Sequence, residues 1–338
     1  MTAGRRIALV GATGTLGQEL LAVLEESDLG LAELRIVASD RSLGETLEFR
    51  GERLAVQAGA VDFSGLDAVV LCTPAPVALD LIRQLLRVEV ACIDCSGALL
   101  GSSEVPLVVA DLGAHDGLSG APLISAPTGP TLVWAPVLSV LQREAGLVRV
   151  VGTVLHSASS AGHGGIEALS AQTLALIGQR ETFKSPEYPG LVAFGSAPHA
   201  GREDDPAGKD GGAPAESDLA ASLHRLLGRD VVVSSSSVQV PSFAGQGGAL
   251  WVETERPLSA TQAGAALAAS PGIEVLKDAE EASTRDAVGG EAVRVARLRA
   301  DPFAPEPGRQ LMFWLAADPV RLAALNALKL LRARLGPG

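Results

Sequence analysis

The sequence predicts an α/β protein: an N-terminal doubly wound parallel sheet, then an α+β domain. Three observations predict it. Short apolar runs alternate with helical stretches through the first 128 residues, the pattern that parallel strands and crossover helices require. A glycine-rich turn joins the first apolar run to the first helix. Beyond residue 129 the runs become longer and β-rich around glycine turns, as in a largely antiparallel sheet. At 338 residues, with about 150 for an ordinary domain, two domains are expected.

Ile7–Val10 reads as the first strand, and Thr15–Leu24 spaces its apolar residues helically before Glu25 and Glu26. Leu34–Ala38, Ala68–Cys72 and Val90–Ile93 continue the strands, with a helix over Ala78–Leu86. Leu107–Ala110 and Leu123–Ile124 are candidates to extend the sheet. Gly117–Gln142 carries no charge, but Pro122, Pro127, Pro130 and Pro136 interrupt it, so it reads as loop and buried helix start rather than a membrane span. Thr131 is expected to cap that helix. Val148–Leu155 is a strand leading into a Ser/Gly loop, followed by an amphipathic helix over Ile166–Ile177. His199–Ser217, polar and glycine-rich, reads as a mobile loop or an ordered insertion. Val231–Val240 and Ala249–Thr254 flank a glycine turn at Gly245–Gly248, and Ala292–Leu298 adds a further strand. Helices of this half, including Ile166–Ile177, are expected to cover one face of that sheet. A final helix over Val320–Leu335 carries Leu322, Leu325, Leu328 and Leu331 on a stripe that reads as core.

Apolar residues are 47% of the chain and charged ones 20%, ample for a large core. The 27 basic and 39 acidic side chains leave a net charge of −12, which repels phosphate backbones and anionic lipid, so neither nucleic acid nor membrane is expected as a partner. The N-terminus runs straight into the first strand with no signal-peptide h-region, which predicts a cytoplasmic protein. Of three cysteines, Cys92 and Cys95 have C-x-x-C spacing, but no second pair or histidine cluster completes a zinc site; no metal is expected.

Gly11-Ala-Thr-Gly-Thr-Leu-Gly17 is a G-x-x-G-x-x-G turn between strand and helix, where backbone N–H groups can approach a pyrophosphate at the helix N-terminus. The second strand ends in Ala38-Ser-Asp-Arg-Ser42. An NAD-specific site usually carries there an acidic residue for the ribose hydroxyls, whereas Arg41 and Ser42 suit a 2′-phosphate, so NADP is the expected cofactor. Asp40 would repel that phosphate unless it points outward or pairs with Arg41, and a plain solvated charge pair is the alternative.

These residues, with blocks spread over nearly the whole chain, resemble the aspartate-semialdehyde dehydrogenase family. Gly11–Gly17 and Ala38–Ser42, with Gly44, look like its cofactor turn and its A-S-x-R-S-x-G loop. Ile93-Asp-Cys-Ser-Gly-Ala and Pro106-Leu-Val-Val look like its I-D-x-S-x-A and P-L-V-V segments. Thr153–Gly162 takes the place of its T-Y-Q-x-x-S-G-x-G loop, and Val238-Gln-Val-Pro241 that of its V-R-[IV]-P strand. Arg294–Arg299 and Ala323–Ala327 echo its V-G-R-[IL]-R strand and G-A-A-x-N-A helix. The resemblance implies a Rossmann-type NADP-binding domain over 1–128, completed by a C-terminal helix at about 318–338. It implies an α+β substrate and dimerisation domain of the semialdehyde dehydrogenase type over 129–317. It also implies a homodimer, and a cofactor set of Gly11, Thr13, Gly14, Thr15, Leu16, Gly17, Ser39, Arg41, Ser42 and Ser159.

The family's reaction has a cysteine thiolate attack a β-aspartyl phosphate, forming a thioester that hydride from NADPH then reduces. Its cysteine lies in P-N-C-S-T, and the matching stretch is Pro127-Thr-Gly-Pro-Thr131, so Gly129 stands where the thiol belongs. Its acid–base histidine matches Gln246, its carboxylate-gripping arginine Gln239, its phosphate-gripping arginine Leu100, and the glutamine of T-Y-Q matches His156. The helix bearing its E-x-x-x-K-x-x-x-E-T pattern matches Pro214–Arg225, with Asp218 and Ser222 for lysine and glutamate. No catalytic position is intact, which implies a paralogue kept for binding or for other chemistry. Cys95, at a strand's carboxyl end, is a nucleophile or a small apolar residue; His156 and His163 are bases, hydrogen-bond partners of the cofactor amide, or loop histidines satisfied by backbone. Thr128 and Thr131 are poor substitutes for the thiol. Two functions stay open: a non-catalytic NADP-binding protein acting through a partner, including a heterodimer with a catalytic paralogue, and an NADP-dependent oxidoreductase with altered chemistry.

Overall fold

The computed structural model describes residues 4–113, 118–181, 185–188, 190–198, 214–277 and 280–336. In chain order its elements are β1 (Arg5–Val10), α1 (Thr15–Glu26), β2 (Leu31–Val37), β3 (Thr46–Phe49), β4 (Glu52–Gln57), β5 (Ala68–Leu71), α2 (Ala75–Arg87), β6 (Ala91–Asp94) and β7 (Leu123–Ser125). Then come α3 (Pro130–Ala145), β8 (Leu147–His156), α4 (Gly162–Ile177), β9 (Ala197–Pro198), α5 (Pro214–Leu227), β10 (Val232–Gln239) and β11 (Gln246–Thr254). The chain ends with α6 (Ala260–Ala268), β12 (Ile273–Val275), β13 (Val293–Ala300), β14 (Gln310–Ala317) and α7 (Pro319–Leu335). Two compact units result: Met1–Thr128 with Val320–Gly338, and Gly129–Pro319.

In the first unit the strand order is β3-β4-β2-β1-β5-β6-β7, parallel except for the β3–β4 hairpin. The four-residue strands β5 and β6 are fully buried, as strands covered on both faces must be. Leu20, Leu21, Val23 and Leu24 of α1 and Ala324, Ala327, Leu328 and Leu331 of α7 pack one face; Ala78, Ile82 and Leu85 of α2 pack the other. Asn326 anchors α7: Ala110 N–H donates to its Oδ1 at 2.8 Å, and its Nδ2 donates to Val108 O at 3.2 Å. Lys329 pairs with Asp111 at 2.7 Å, and Arg321 bridges Glu19 and Glu26 of α1.

Several local expectations change. Helix α2 begins at Ala75 rather than Ala78, because Pro76 falls in its first turn, where a fixed φ and a missing N–H cost nothing. The β3–β4 hairpin is an addition to the expected strands; its turn residues Arg50 and Gly51 both have positive φ, as a tight primed turn demands. Leu107–Ala110 forms no strand: Leu107 makes one isolated bridge to Ser125, and Ala110 enters a short 3₁₀ turn.

The second unit's sheet runs β12-β13-β14-β11-β8-β10-β9. The β10–β8 and β12–β13 pairs are parallel and the rest antiparallel, so it is more mixed than expected. Alternation along β11 puts Leu250 and Val252 in the core and Trp251 outside. The covering helices are α3, α5 and α6; α4 packs instead on the segment of Tyr188, Val192 and Ala193, which corrects its expected role. Residues Thr131–Leu138 of α3 are all buried, and its Trp134 ring fills a hollow left by strand glycines. A Cβ at Gly152 would lie 2.7 Å from that ring. The expected glycine turn at 245–248 ends at Gly245; Gly247 and Gly248 are strand residues, and a Cβ at Gly247 would meet the Trp314 ring at 2.8 Å. Of His199–Ser217, residues 199–213 lie outside the described residues, while 214–217 open α5.

Candidate functional site

In the first unit, β1 ends at Val10, and the N–H groups of Gly11 and Ala12 both donate to Val37 O at the end of β2. Gly11 has φ +85°, and a Cβ there would lie 2.4 Å from Cys72 O at the end of β5, so only glycine fits. Helix α1 then starts behind Gly14 with no side chain capping it and no acidic residue in its first turn. That leaves uncapped N–H groups and the positive end of the helix dipole facing outward. At Gly17 the helix backbone touches the turn: a Cβ would lie 2.2 Å from Gly11 O and 2.6 Å from Ala12 Cα.

Ser42 Oγ donates to Thr13 Oγ1 at 3.1 Å, tying the loop after β2 to the turn. Ser39, Asp40 and Arg41 are exposed on a 3₁₀ turn beside it, and neither Asp40 nor Arg41 is in an ion pair among the described residues. Thr15 Oγ1 and Thr73 Oγ1 are buried hydroxyls without a hydrogen-bond partner, and Thr73 Cγ2 would touch a Cβ at Gly11. A glycine cradle, an uncapped helix start and an orphaned hydroxyl within it fit a dinucleotide's phosphates. Thr73 was missed in the sequence; its signal was its place just past a parallel strand's carboxyl end. Nine of the ten expected cofactor residues therefore share one place. Ser159 belongs to the second unit, where its N–H donates to Phe243 O and its Oγ pairs with Ser157 Oγ at 3.0 Å.

In the second unit three strands bring one polar row level. His156 ends β8, opposite Gln239 of β10, while Gly247 of β11 pairs with Leu155, so Gln246 stands beside His156. All three side chains are buried. His156 Nε2 meets Ser237 Oγ at 3.2 Å. Gln239 Nε2 donates to His156 O at 2.9 Å and Val240 O at 3.4 Å, which fixes its amide and leaves its Oε1 without a partner. Gln246 Nε2 likewise has none. The row offers an imidazole and two carboxamides, with no guanidinium in it. Ser222 is buried on α5 with its Oγ unpaired, and His163 is exposed at the start of α4.

Gly129 is the N-cap of α3 at φ +57°, ψ −135°. Thr131 is not the cap: it sits inside the first turn, buried, and no side chain caps the helix. None of the three cysteines is in this unit. Cys92 and Cys95 point to opposite faces of the first sheet, since Cys92 packs with α2 and Cys95 with α1 and α7. Their C-x-x-C spacing on a strand cannot converge on one metal. The neighbouring Cys72 thiol and burial hold the Cys95 thiol well above its ordinary range, and burial raises Cys92 and the Asp94 carboxyl. Neither buried thiol is poised as a thiolate.

Comparisons with known proteins agree with this architecture. Residues 6–117 match the family described as semialdehyde dehydrogenase, NAD binding domain, and residues 138–322 match semialdehyde dehydrogenase, dimerisation domain. An aspartate-semialdehyde dehydrogenase of Aquifex aeolicus is 31% identical over 97% of both chains. One from Mycolicibacterium smegmatis is 30% identical over 96% of this chain and 97% of its own. The crystal structure of Vibrio cholerae aspartate semialdehyde dehydrogenase II, complexed with ASA, superposes with a TM-score of 0.92 at 27% identity, covering 99% of each chain. The first unit thus carries a nicotinamide-cofactor-binding domain. Among the described residues, no helix is long and apolar enough to cross a membrane.

Proposed function

The chain belongs to the semialdehyde dehydrogenase family, and on that footing we propose an NADP-binding protein that does not perform the family's cysteine-dependent phosphorylating chemistry. The observation that carries this reading is Gly129 at the start of α3, in a unit without any cysteine. A residue without a side chain forms no thioester, and a glutamine at 246 moves no proton near neutral pH. Gln239 and Leu100 supply no charge against a carboxylate or phosphate. Bound NADP would supply a hydride donor or acceptor. The chain's own part is to seat the pyrophosphate on Gly11–Gly17 and the 2′-phosphate on Arg41 and Ser42, with Asp40 turned to solvent.

Calorimetry with NADP(H) and NAD(H) tests the cofactor half. Arg41→Ala is expected to weaken NADP about 10-fold or more and to leave NAD nearly unchanged. Equal loss for both, or no binding to the wild type, overturns it. The second reading, an oxidoreductase on an uncharged aldehyde or acyl substrate, is favoured by the buried His156–Ser237 pair beside the unpartnered Gln239 Oε1 and Gln246 Nε2. Cofactor oxidation or reduction with such a substrate, lost in His156→Ala, would select it.

We also propose a homodimer through the outer face of the second sheet, with a heterodimer with a catalytic paralogue open on the same surface. Val151, Trp251 and Met312 stand abreast there, with Val151 and Trp251 about two-fifths exposed. A groove of about 340 Å³ beside them is lined by Arg299 and Trp314 among others. Light scattering at micromolar concentration is expected to give about 69 kDa, twice the 34.5 kDa chain, and a monomer mass refutes the dimer.

A further inference from the structure

Cys72 and Cys95 lie one residue beyond the paired Leu71 and Asp94, at the carboxyl ends of neighbouring parallel strands β5 and β6. The ladder continues past that pair, for Cys95 N–H donates to Leu71 O at 2.9 Å. Both side chains turn to the face packed by α1 and α7, which makes them lateral neighbours on one side of the sheet. Strands about 4.8 Å apart put such partners inside the Cα range of about 4.4–6.8 Å that a disulfide spans. Cys72 is half-buried and Cys95 fully buried, so Cys72 is the more accessible of the two. Cys92 is on the opposite face and buried.

We propose that Cys72 and Cys95 form a reversible dithiol–disulfide pair that acts on the cofactor turn. The oxidant is a peroxide. The Cys72 thiolate attacks one peroxide oxygen, the O–O bond breaks, and hydroxide leaves as water, giving a sulfenic acid. The Cys95 sulfur then attacks the Cys72 sulfur and the S–O bond breaks. Cys95 gives up its thiol proton as its sulfur attacks, and that proton leaves with the displaced oxygen as the second water, so resolution is the slower of the two steps. Two thiols and one H₂O₂ become one disulfide and two waters, and a small dithiol reverses the change by exchange. The bond is felt at the turn because Cys72 N–H donates to Val10 O at 2.8 Å and Cys72 O occupies the space a Gly11 Cβ would need. Drawing Cys72 toward Cys95 shifts the backbone on which Gly11 rests.

The test is stoichiometric H₂O₂ on the full chain, alkylation under denaturing conditions, then intact-mass and peptide mapping. The expected product is about 2 Da lighter, with one alkylated cysteine, Cys92, and a peptide crosslink that dithiothreitol removes. Cys92→Ser should keep the crosslink, and Cys72→Ser and Cys95→Ser should each lose it. Three alkylated thiols after oxidation, a Cys72 sulfinic acid with Cys95 free, or a crosslink lost in Cys92→Ser overturns the pair. The wild-type measurement stands even if a serine variant fails to fold. The oxidised chain is expected to bind NADP(H) at least about 5-fold more weakly than the reduced chain, restored by dithiothreitol; equal affinity overturns the switch. This second half rests on the cofactor reading above, and absence of binding to the reduced chain would fault that reading while the mass still reports the disulfide.

Discussion

Gly17→Ala is expected to abolish measurable nicotinamide-dinucleotide binding. Its Cβ would lie 2.2 Å from Gly11 O and 2.6 Å from Ala12 Cα, both backbone atoms of a turn that the Gly11 and Ala12 N–H groups tie to Val37 O. No rotamer relieves such a contact, so α1 must withdraw from the turn and take its first N–H groups with it. Overpacking of this kind costs about 1–3 kcal/mol, and the lost phosphate geometry adds to it, so affinity should fall about 100-fold or more. Gly30→Ala is the control, because nothing lies within 4 Å of a Cβ there and its φ is not positive. Calorimetry beside thermal unfolding separates the two effects: near-wild-type affinity in a folded Gly17→Ala protein would sink the assignment of this turn.

The wild-type chain is expected to oxidise aspartate semialdehyde, with phosphate and NADP, at under about one ten-thousandth of the rate of a relative bearing P-N-C-S-T, since losing a nucleophile typically costs several powers of ten. Restoring Gly129→Cys with Gln246→His should leave activity below about 1% of that relative. Space is not the obstacle, as nothing lies within 4 Å of a Cβ at Gly129. Its backbone is: φ +57° with ψ −135° costs a side-chain-bearing residue about 1–3 kcal/mol, and α3 would reorganise at its start. Gln239 and Leu100 also still lack the charge to hold a dianion. Phosphate-dependent turnover by the wild type, abolished on alkylating Cys95, would overturn this account.

Where periodicity was strong, the elements were readable: β1, α1 and α7 follow from their apolar spacing, and the turn between β1 and α1 follows from its glycines. The β3–β4 hairpin was not, because its strands are only four and six residues long and Arg50 is an unusual residue for positive φ in their turn. Thr131 looked like a cap since threonine is a common one, yet Gly129 takes that place when Pro130 opens the helix. Strand glycines at 247 and 248 read as a turn because their partners, the Trp314 and Trp134 rings, are far away in sequence.

From the sequence by itself come the two-part α/β plan, the glycine turn between β1 and α1, and the residue types at 129, 239 and 246. These are local properties, set by spacing along the chain and by the chemistry of single side chains. Only the tertiary structure decided which of them meet. It set His156 between Gln239 and Gln246, because strand register joins residues some 80 to 90 positions apart in a way no short-range pattern encodes. It parted Cys92 from Cys95 and brought Cys95 to Cys72, because successive strand residues face opposite sides of a sheet while neighbours across strands face the same one.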